Sequence, residues 1–228
     1  HDLVADGLIQ PSAIRNETQD VRPMSSGFRS GADAPAPLLY LERAAMIYFG
    51  VPTFGVHLNG FVRDPVTGRP AYVWIAKRSM SKATYPGLLD QMVAGGQPAG
   101  KSFVQNVKEE SEEEASLPPE VVANVISTGI VSYKYATRKG LSTKVLATFD
   151  VEVPTGMSPL CSDGEVEEFS LMSVSDAVDS VRDRLPLWKP NSALVMLDFA
   201  MRHGFITPDE AGYSELAHLL RGGMGSLY

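Results

Sequence analysis

The sequence of 228 residues predicts an α/β domain, and three observations carry that class. Residues 55–62 and 71–77 read as two strands joined by Asp64-Pro65-Val66-Thr67-Gly68. In that turn proline pre-sets one backbone angle and glycine supplies a left-handed one, so the pair reads as a hairpin with a longish loop. Residues 125–135 and 143–153 alternate in the manner of two more strands, separated by the polar turn Arg138-Lys139-Gly140. Between the two pairs a glycine-rich loop, Gly95-Gly96-Gln97-Pro98-Ala99-Gly100-Lys101, runs into a charged helix. Pro118-Pro119 is expected to end that helix, because proline cannot continue the backbone ladder and restricts the residue before it.

The flanking segments are mostly helical in pattern. Residues 1–37 read as a helical lead followed, from Arg22, by a loop rich in Pro, Gly, Ser and Ala, and residues 38–49 have helical spacing. Residues 1–50 are therefore expected to form an accessory arm packed on a core domain of residues 51–228. At the C-terminal end, helices are expected over residues 175–184 and 191–202, the second closed by Gly204. A final helix has Thr207, Pro208 and Glu210 in capping-box positions and Gly222 as its stop.

Composition bounds the function classes. The length suits one substantial core plus flanking elements, and a second catalytic domain is not expected within it. No run of about 18 apolar residues occurs, which excludes a membrane-spanning helix. A single cysteine, Cys161, excludes an intramolecular disulfide and suits a reducing, cytoplasmic setting. The chain starts at His1 without an initiating Met, so a removed leader would be invisible in it. A net charge of -7 without a basic cluster argues against nonspecific nucleic-acid binding.

The charged helix holds the strongest chemical signal. Glu110, Glu113 and Glu114 are three and four positions apart and fall within a ~100° arc of one face, whereas Glu109 and Glu112 project elsewhere. Carboxylates sharing a face repel one another, and a hard divalent cation such as Mg²⁺ or Mn²⁺, which prefers oxygen ligands and bridges them to phosphates, removes that repulsion. A solvated acidic face is the other reading of the same pattern. His57 and Asn59 alternate on one strand and share a face. Lys189 and Asn191 bracket a helix start, where backbone donors can hold an anion or Asn191 can simply cap the helix.

From Gly95 onward this stretch resembles the Nudix box, a glycine followed at fixed spacings by Glu, Arg-Glu, an apolar residue, a Glu pair, a Gly and an apolar residue. Glu110, Glu113, Glu114 and Leu117 match, whereas Lys101 stands for the first Glu, Glu109 for the Arg, Ser111 for the internal apolar residue and Ser116 for the late Gly. Phrases along nearly the whole chain resemble one Nudix branch, the domain found alone or fused to thiamine pyrophosphokinase. They include Glu42-Arg43-Ala44-Ala45, Phe54-Gly55-Val56-His57-Leu58-Asn59-Gly60, Trp74-Ile75-Ala76-Lys77-Arg78-Ser79 with Lys82, Pro86-Gly87-Leu88-Leu89-Asp90, Asp163-Gly164-Glu165-Val166 and Lys189-Pro190-Asn191.

The resemblance implies an α/β/α sandwich on a mixed sheet, and a metal-dependent hydrolase of a small organic diphosphate. Thiamine diphosphate and its oxidised oxo and oxy forms, cleaved to the monophosphate and phosphate, are the implied substrates. It implies a metal shell of Glu110, Glu113, Glu114 and a loop carbonyl at Gly95 or Gly96, and a proton-accepting carboxylate among Glu113, Glu114 and Glu165. His57, Asn59, Arg78, Lys82, Lys189 and Asn191 are the expected substrate contacts. Two alternatives stand beside it: an isomerase like isopentenyl diphosphate isomerase, which would need Cys161 paired with a carboxylate, and a noncatalytic diphosphate-binding protein.

Overall fold

The computed structural model describes residues 3–14, 16–21 and 36–222. Among these described residues nine strands and five α-helices follow in order: β1 (Thr18–Val21), β2 (Leu39–Glu42), β3 (Thr53–Arg63), β4 (Pro70–Arg78), β5 (Leu89–Gln91), β6 (Val93–Gly96), α1 (Phe103–Ala115), α2 (Pro119–Val122), β7 (Ile126–Thr137), β8 (Gly140–Glu152), β9 (Val166–Ser173), α3 (Val174–Asp183), α4 (Pro190–Arg202) and α5 (Tyr213–Leu219). Strands β1 and β2 pair antiparallel as a separate ribbon. The main sheet runs β5-β4-β3-β8-β7, with β6 added to β3 and β9 to β4. Its central β3–β8 pair is parallel and the remaining pairs are antiparallel, so the sheet is mixed.

Alternation along β3 assigns its two faces. Val56 and Leu58 pack with Val107 and Ala115 of α1, Val121 and Val122 of α2, and Phe149 of β8. The opposite phase, continued by Phe61, packs with Val73, Ile75, Ala177 of α3 and Phe199 of α4. Helices therefore cover both faces of the sheet, and each fully buried aromatic such as Phe149 or Phe199 contributes about 2–3 kcal/mol of burial free energy. This is the sandwich that the resemblance implied and that the order of elements suits.

The first hairpin turns where expected, because Asp64 Oδ1 accepts the N–H groups of Val66 at 2.9 Å and Thr67 at 2.7 Å. Several segments differ. Residues 38–49 form β2 and a 3₁₀ turn over Met46–Phe49 instead of a helix, because Leu39–Glu42 finds a ladder partner in Thr18–Val21. Among its described residues the N-terminal lead holds a short 3₁₀ turn, Pro11–Ala13, and a strand, and most of the expected loop from Arg22 lies outside the described residues. Helix α1 stops before the prolines: Ser116 takes left-handed angles, and Pro119 opens α2. Strands β5, β6 and β9 are too short or too charged for alternation to reveal. Thr207 N–H does donate to Glu210 Oε1 at 2.9 Å, but Gly212 at φ 85° breaks the chain before α5 begins, and α5 ends ahead of Gly222.

Candidate functional site

Helix α1 opens with a capping box. Ser102 accepts the Gln105 N–H while the Gln105 side chain accepts the Ser102 N–H, so two orphan donors are satisfied at the end of the glycine loop. One face of the helix, Asn106, Val107, Ser111, Glu114 and Ala115, is buried. Asn106, only 2% exposed, donates to the Gly96 carbonyl at 2.8 Å and so ties helix to strand β6. Ser111, at the position where an apolar residue was expected, is fully buried and returns its hydroxyl to the Val107 carbonyl, which satisfies it within the helix.

Two carboxylates are pressed against β6. Glu114 is 5% exposed and accepts the Ala94 N–H at 2.8 Å. Glu110 lies over Gly95 so closely that a Cβ there would stand 2.1 Å from its Oε1, which is why the chain has glycine at that position. Burial, followed by the charges of Glu113 and Glu165, pushes Glu110 up to about 7. Burial also raises Glu114 well above the ordinary carboxylate value, against the opposing pull of the Ala94 N–H. Glu113 is exposed on the same helix. Glu165 stands just before β9, on a loop anchored to α1 by Leu160 N–H to Ala115 O at 3.0 Å and by Ser162 to the Glu113 carbonyl. Lys82 forms an ion pair with Glu165 and is near enough to draw Glu110 downward.

A cleft of about 200 Å³ opens beside this face, lined by Glu17, Gly96, Lys101, Glu109, Glu110 and Glu113 among others. The two charges that depart from the box meet here: Lys101 and Glu109 form an ion pair across the start of α1. Each substitution looked anomalous alone, yet together they reverse the polarity of one pair. Glu17 lines the cleft without any sequence signal for it.

The other expected contacts are placed elsewhere. His57 and Asn59 are in the phase of β3 opposite to Val56 and Leu58, so they face α4 and not α1. His57, 2% exposed, bonds Gln91 at 2.6 Å through Nδ1 and Asn191 at 3.2 Å through Nε2. Gln91 Nε2 donates to Ser192 O, so its oxygen accepts from His57 and the ring carries its proton on Nδ1. Asn59 donates to Asp150 at 2.9 Å, and Arg202 of α4 binds the same carboxylate at 2.7 Å. Arg78 and Lys189 converge on buried Asp90 at 2.9 and 2.8 Å. Of the six expected contacts, only Lys82 is brought to the carboxylates.

Does this donor set fit a divalent ion? Among the described residues no three His, Cys, Asp or Glu groups already converge on one point. The chemistry fits nonetheless: every donor is a hard oxygen, two carboxylates are desolvated side by side, and the missing Cβ of Gly95 leaves the room that Glu110 occupies. Cys161 is exposed, and partial burial followed by the charges of Asp163 and Glu168 pushes its thiol up, away from a thiolate nucleophile.

A sandwich with an acidic helix face laid on a glycine strand defines a class, and comparison with known proteins gives that class its name. The NUDIX domain model matches residues 56–195, and the chain belongs to that family. It is 42% identical over 221 residues to Nudix hydrolase 20, chloroplastic, of Arabidopsis thaliana, covering 96% of this chain and 55% of that one. It is 40% identical over 211 residues to Nudix hydrolase 24, chloroplastic, of the same plant, covering 92% and 54%. The chain thus spans about half the length of these curated relatives. Among solved structures, DR0079 from Deinococcus radiodurans superposes with a TM-score of 0.53 at 15% identity, over 78% of this chain and 97% of that one, a likeness of fold.

Proposed function

We propose that this chain hydrolyses a small organic diphosphate at the α1–β6 cleft in a divalent-metal-dependent reaction. The observation that carries the reading is the pair Glu110 and Glu114, one helical turn apart, desolvated and held on Ala94-Gly95. Their raised pKa values mark carboxylates that gain by meeting a cation. Mg²⁺ or Mn²⁺, held by Glu110, Glu113 and Glu114 with the Gly95 carbonyl, would neutralise the diphosphate and acidify the attacking water. The carboxylates of Glu113, Glu114 and Glu165 are the candidates to accept that water's proton, and Lys82 anchors Glu165 beside Glu110.

The finer assignments are ours as well. Thiamine diphosphate or its oxo and oxy derivatives, cleaved to monophosphate and phosphate, is the substrate that the phrases shared with the thiamine-pyrophosphokinase-linked branch support. His57, Asn59, Arg78, Lys189 and Asn191 act on that substrate indirectly, by holding β3 and β5 against α4. We take residues 1–50 as an arm on the domain formed by the rest. A reducing compartment suits the free, exposed Cys161, and the names of the plant relatives make a plastid a candidate beside the cytoplasm. No helix among the described residues is long and apolar enough to cross a membrane.

The test is phosphate release from a panel of thiamine diphosphates, ADP-ribose and nucleoside triphosphates with Mg²⁺ or Mn²⁺. Glu113→Gln and Glu114→Gln should each lower turnover by about 10²–10³-fold with unchanged circular dichroism. Wild-type turnover in both variants at saturating metal would remove the cleft as the reaction centre. A preference for nucleoside triphosphates over every thiamine compound would overturn the substrate assignment alone.

A further inference from the structure

Upstream of the family match, which starts at residue 56, the β1–β2 ribbon is attached directly to the glycine loop. Ala99 N–H donates to the Thr18 carbonyl at 3.0 Å, and Arg43 N–H donates to the Glu17 carbonyl at 2.8 Å. The ribbon thereby brings Arg43 over Gly96, where a Cβ would stand 3.0 Å from Nη1 of its guanidinium. Gly96 and Glu17 both line the carboxylate cleft. Arg43 is bound there to Glu17 at 2.6 Å, with the two side chains 44% and 45% exposed.

We propose that Arg43 is a phosphate-binding residue of the cleft, supplied by the N-terminal ribbon and held in readiness by Glu17. An exposed pair of this kind is weak, so exchanging the Glu17 carboxylate for a phosphate costs little. The exchange gains a planar two-pronged contact that arginine makes better than lysine. The charge balance points the same way. The cleft already carries Glu17, Glu109, Glu110 and Glu113, and its own cation Lys101 is committed to Glu109, so an incoming diphosphate needs a further positive partner. A second cation stands behind the first: Lys144 Nζ donates to Thr53 Oγ1 at 2.7 Å, next to Phe54, whose carbonyl accepts the Gln97 N–H of the glycine loop at 3.0 Å. Burial and then the Arg43 charge hold Lys144 down to about 8. Two cations that repel one another are relieved by an anion, as the carboxylates across the cleft are relieved by a metal.

This inference rests on the diphosphate reading above, and its test is separable from it. Calorimetric binding of methylenediphosphonate, which cannot be hydrolysed at the bridging carbon, is measured in the presence of Mn²⁺ for the wild type and for Arg43→Ala, Arg43→Lys and Glu17→Gln. Arg43→Ala should weaken binding by about 10- to 100-fold and Arg43→Lys by less, because lysine keeps the charge and loses the fork. Glu17→Gln should bind equally well or tighter, having lost the competing anion. Mn²⁺ binding in the absence of diphosphonate should be retained in both Arg43 variants, and KM for the hydrolysed substrate should rise in Arg43→Ala. Unaltered diphosphonate affinity in Arg43→Ala would overturn the proposal, as would loss of Mn²⁺ binding in that variant. If the wild type binds the diphosphonate through Arg43 but hydrolyses no diphosphate, the hydrolase reading fails and the Arg43 assignment stands. If the wild type hydrolyses diphosphates and Arg43→Ala does so with an unchanged KM, the reverse holds.

Discussion

Ser116 closes helix α1 at φ 48° and ψ 38°, angles that bring a side chain's Cβ close to backbone oxygen and that glycine adopts freely. Its N–H still reaches the Glu112 carbonyl at 3.2 Å, so the cap is made despite the strain. The glycine expected at this position is therefore absent in identity but present in conformation. Ser116→Gly should raise stability by about 0.5–1 kcal/mol, measured by urea unfolding, without altering turnover. Ser111 is a similar case: its hydroxyl, bonded to Val107 O, makes a polar residue acceptable in a fully buried slot. Both departures were visible in the sequence, but their consequences depend on a backbone angle and on one hydrogen bond that no residue list contains.

At the scale of the element, the start of α1 is set by the capping box and by the Lys101–Glu109 pair that crosses its first turns. Hydrogen bonding to Glu109 raises the Lys101 pKa further. Restoring either expected charge alone, by Lys101→Glu or Glu109→Arg, would put like charges in contact beside Glu110. Each single variant should lower turnover roughly 3- to 10-fold through displacement of the neighbouring carboxylate, and the double variant Lys101→Glu/Glu109→Arg should recover it. Equal activity in all four proteins would show that the pair does not position the helix. The acidic face of α1 itself was legible from a spacing of three and four residues. Which strand it would lie on was not, since β6 is a short glycine-rich segment with nothing to alternate.

Across the whole molecule, the layers are joined by a buried network centred on Asp90. Arg78 of β4, Lys189 at the start of α4, and Ser192 all bond its carboxylate. Burial alone would push Asp90 up, but Lys189, His57 and Arg78 outweigh it and hold the group down to about 2. Beside it, burial first and the Lys189 charge next lower His57 to about 4. A ring that is neutral when folded and takes a proton near 6.5 when unfolded makes the unfolded chain the better proton binder between those values. Stability therefore falls as the pH drops from about 6.5 toward 4, by about 1.4 kcal/mol per unit. Urea unfolding should show a loss of about 2 kcal/mol from His57 between pH 6.5 and 5, and His57→Gln should remove that part of the slope. A slope unchanged by the substitution would mean that the network stays intact with a charged ring.

The class of the fold and the acidic face of α1 were readable along the chain, because both rest on local period: alternation for β3, β4, β7 and β8, and a shared helical face for Glu110, Glu113 and Glu114. The same reasoning placed His57 and Asn59 correctly on one face of one strand, and had no means of saying which layer that face would meet. Packing decided it, since Val56 and Leu58 met α1 and left the opposite phase to α4. Pairing likewise made residues 39–42 a strand, because a ladder needs a partner and Thr18–Val21 lies far off in sequence. Through that pairing Glu17 lines the cleft and Arg43 lies over Gly96. Period is a property of neighbours in sequence, whereas a site is made by neighbours in space, and only the folded chain brings the second kind together.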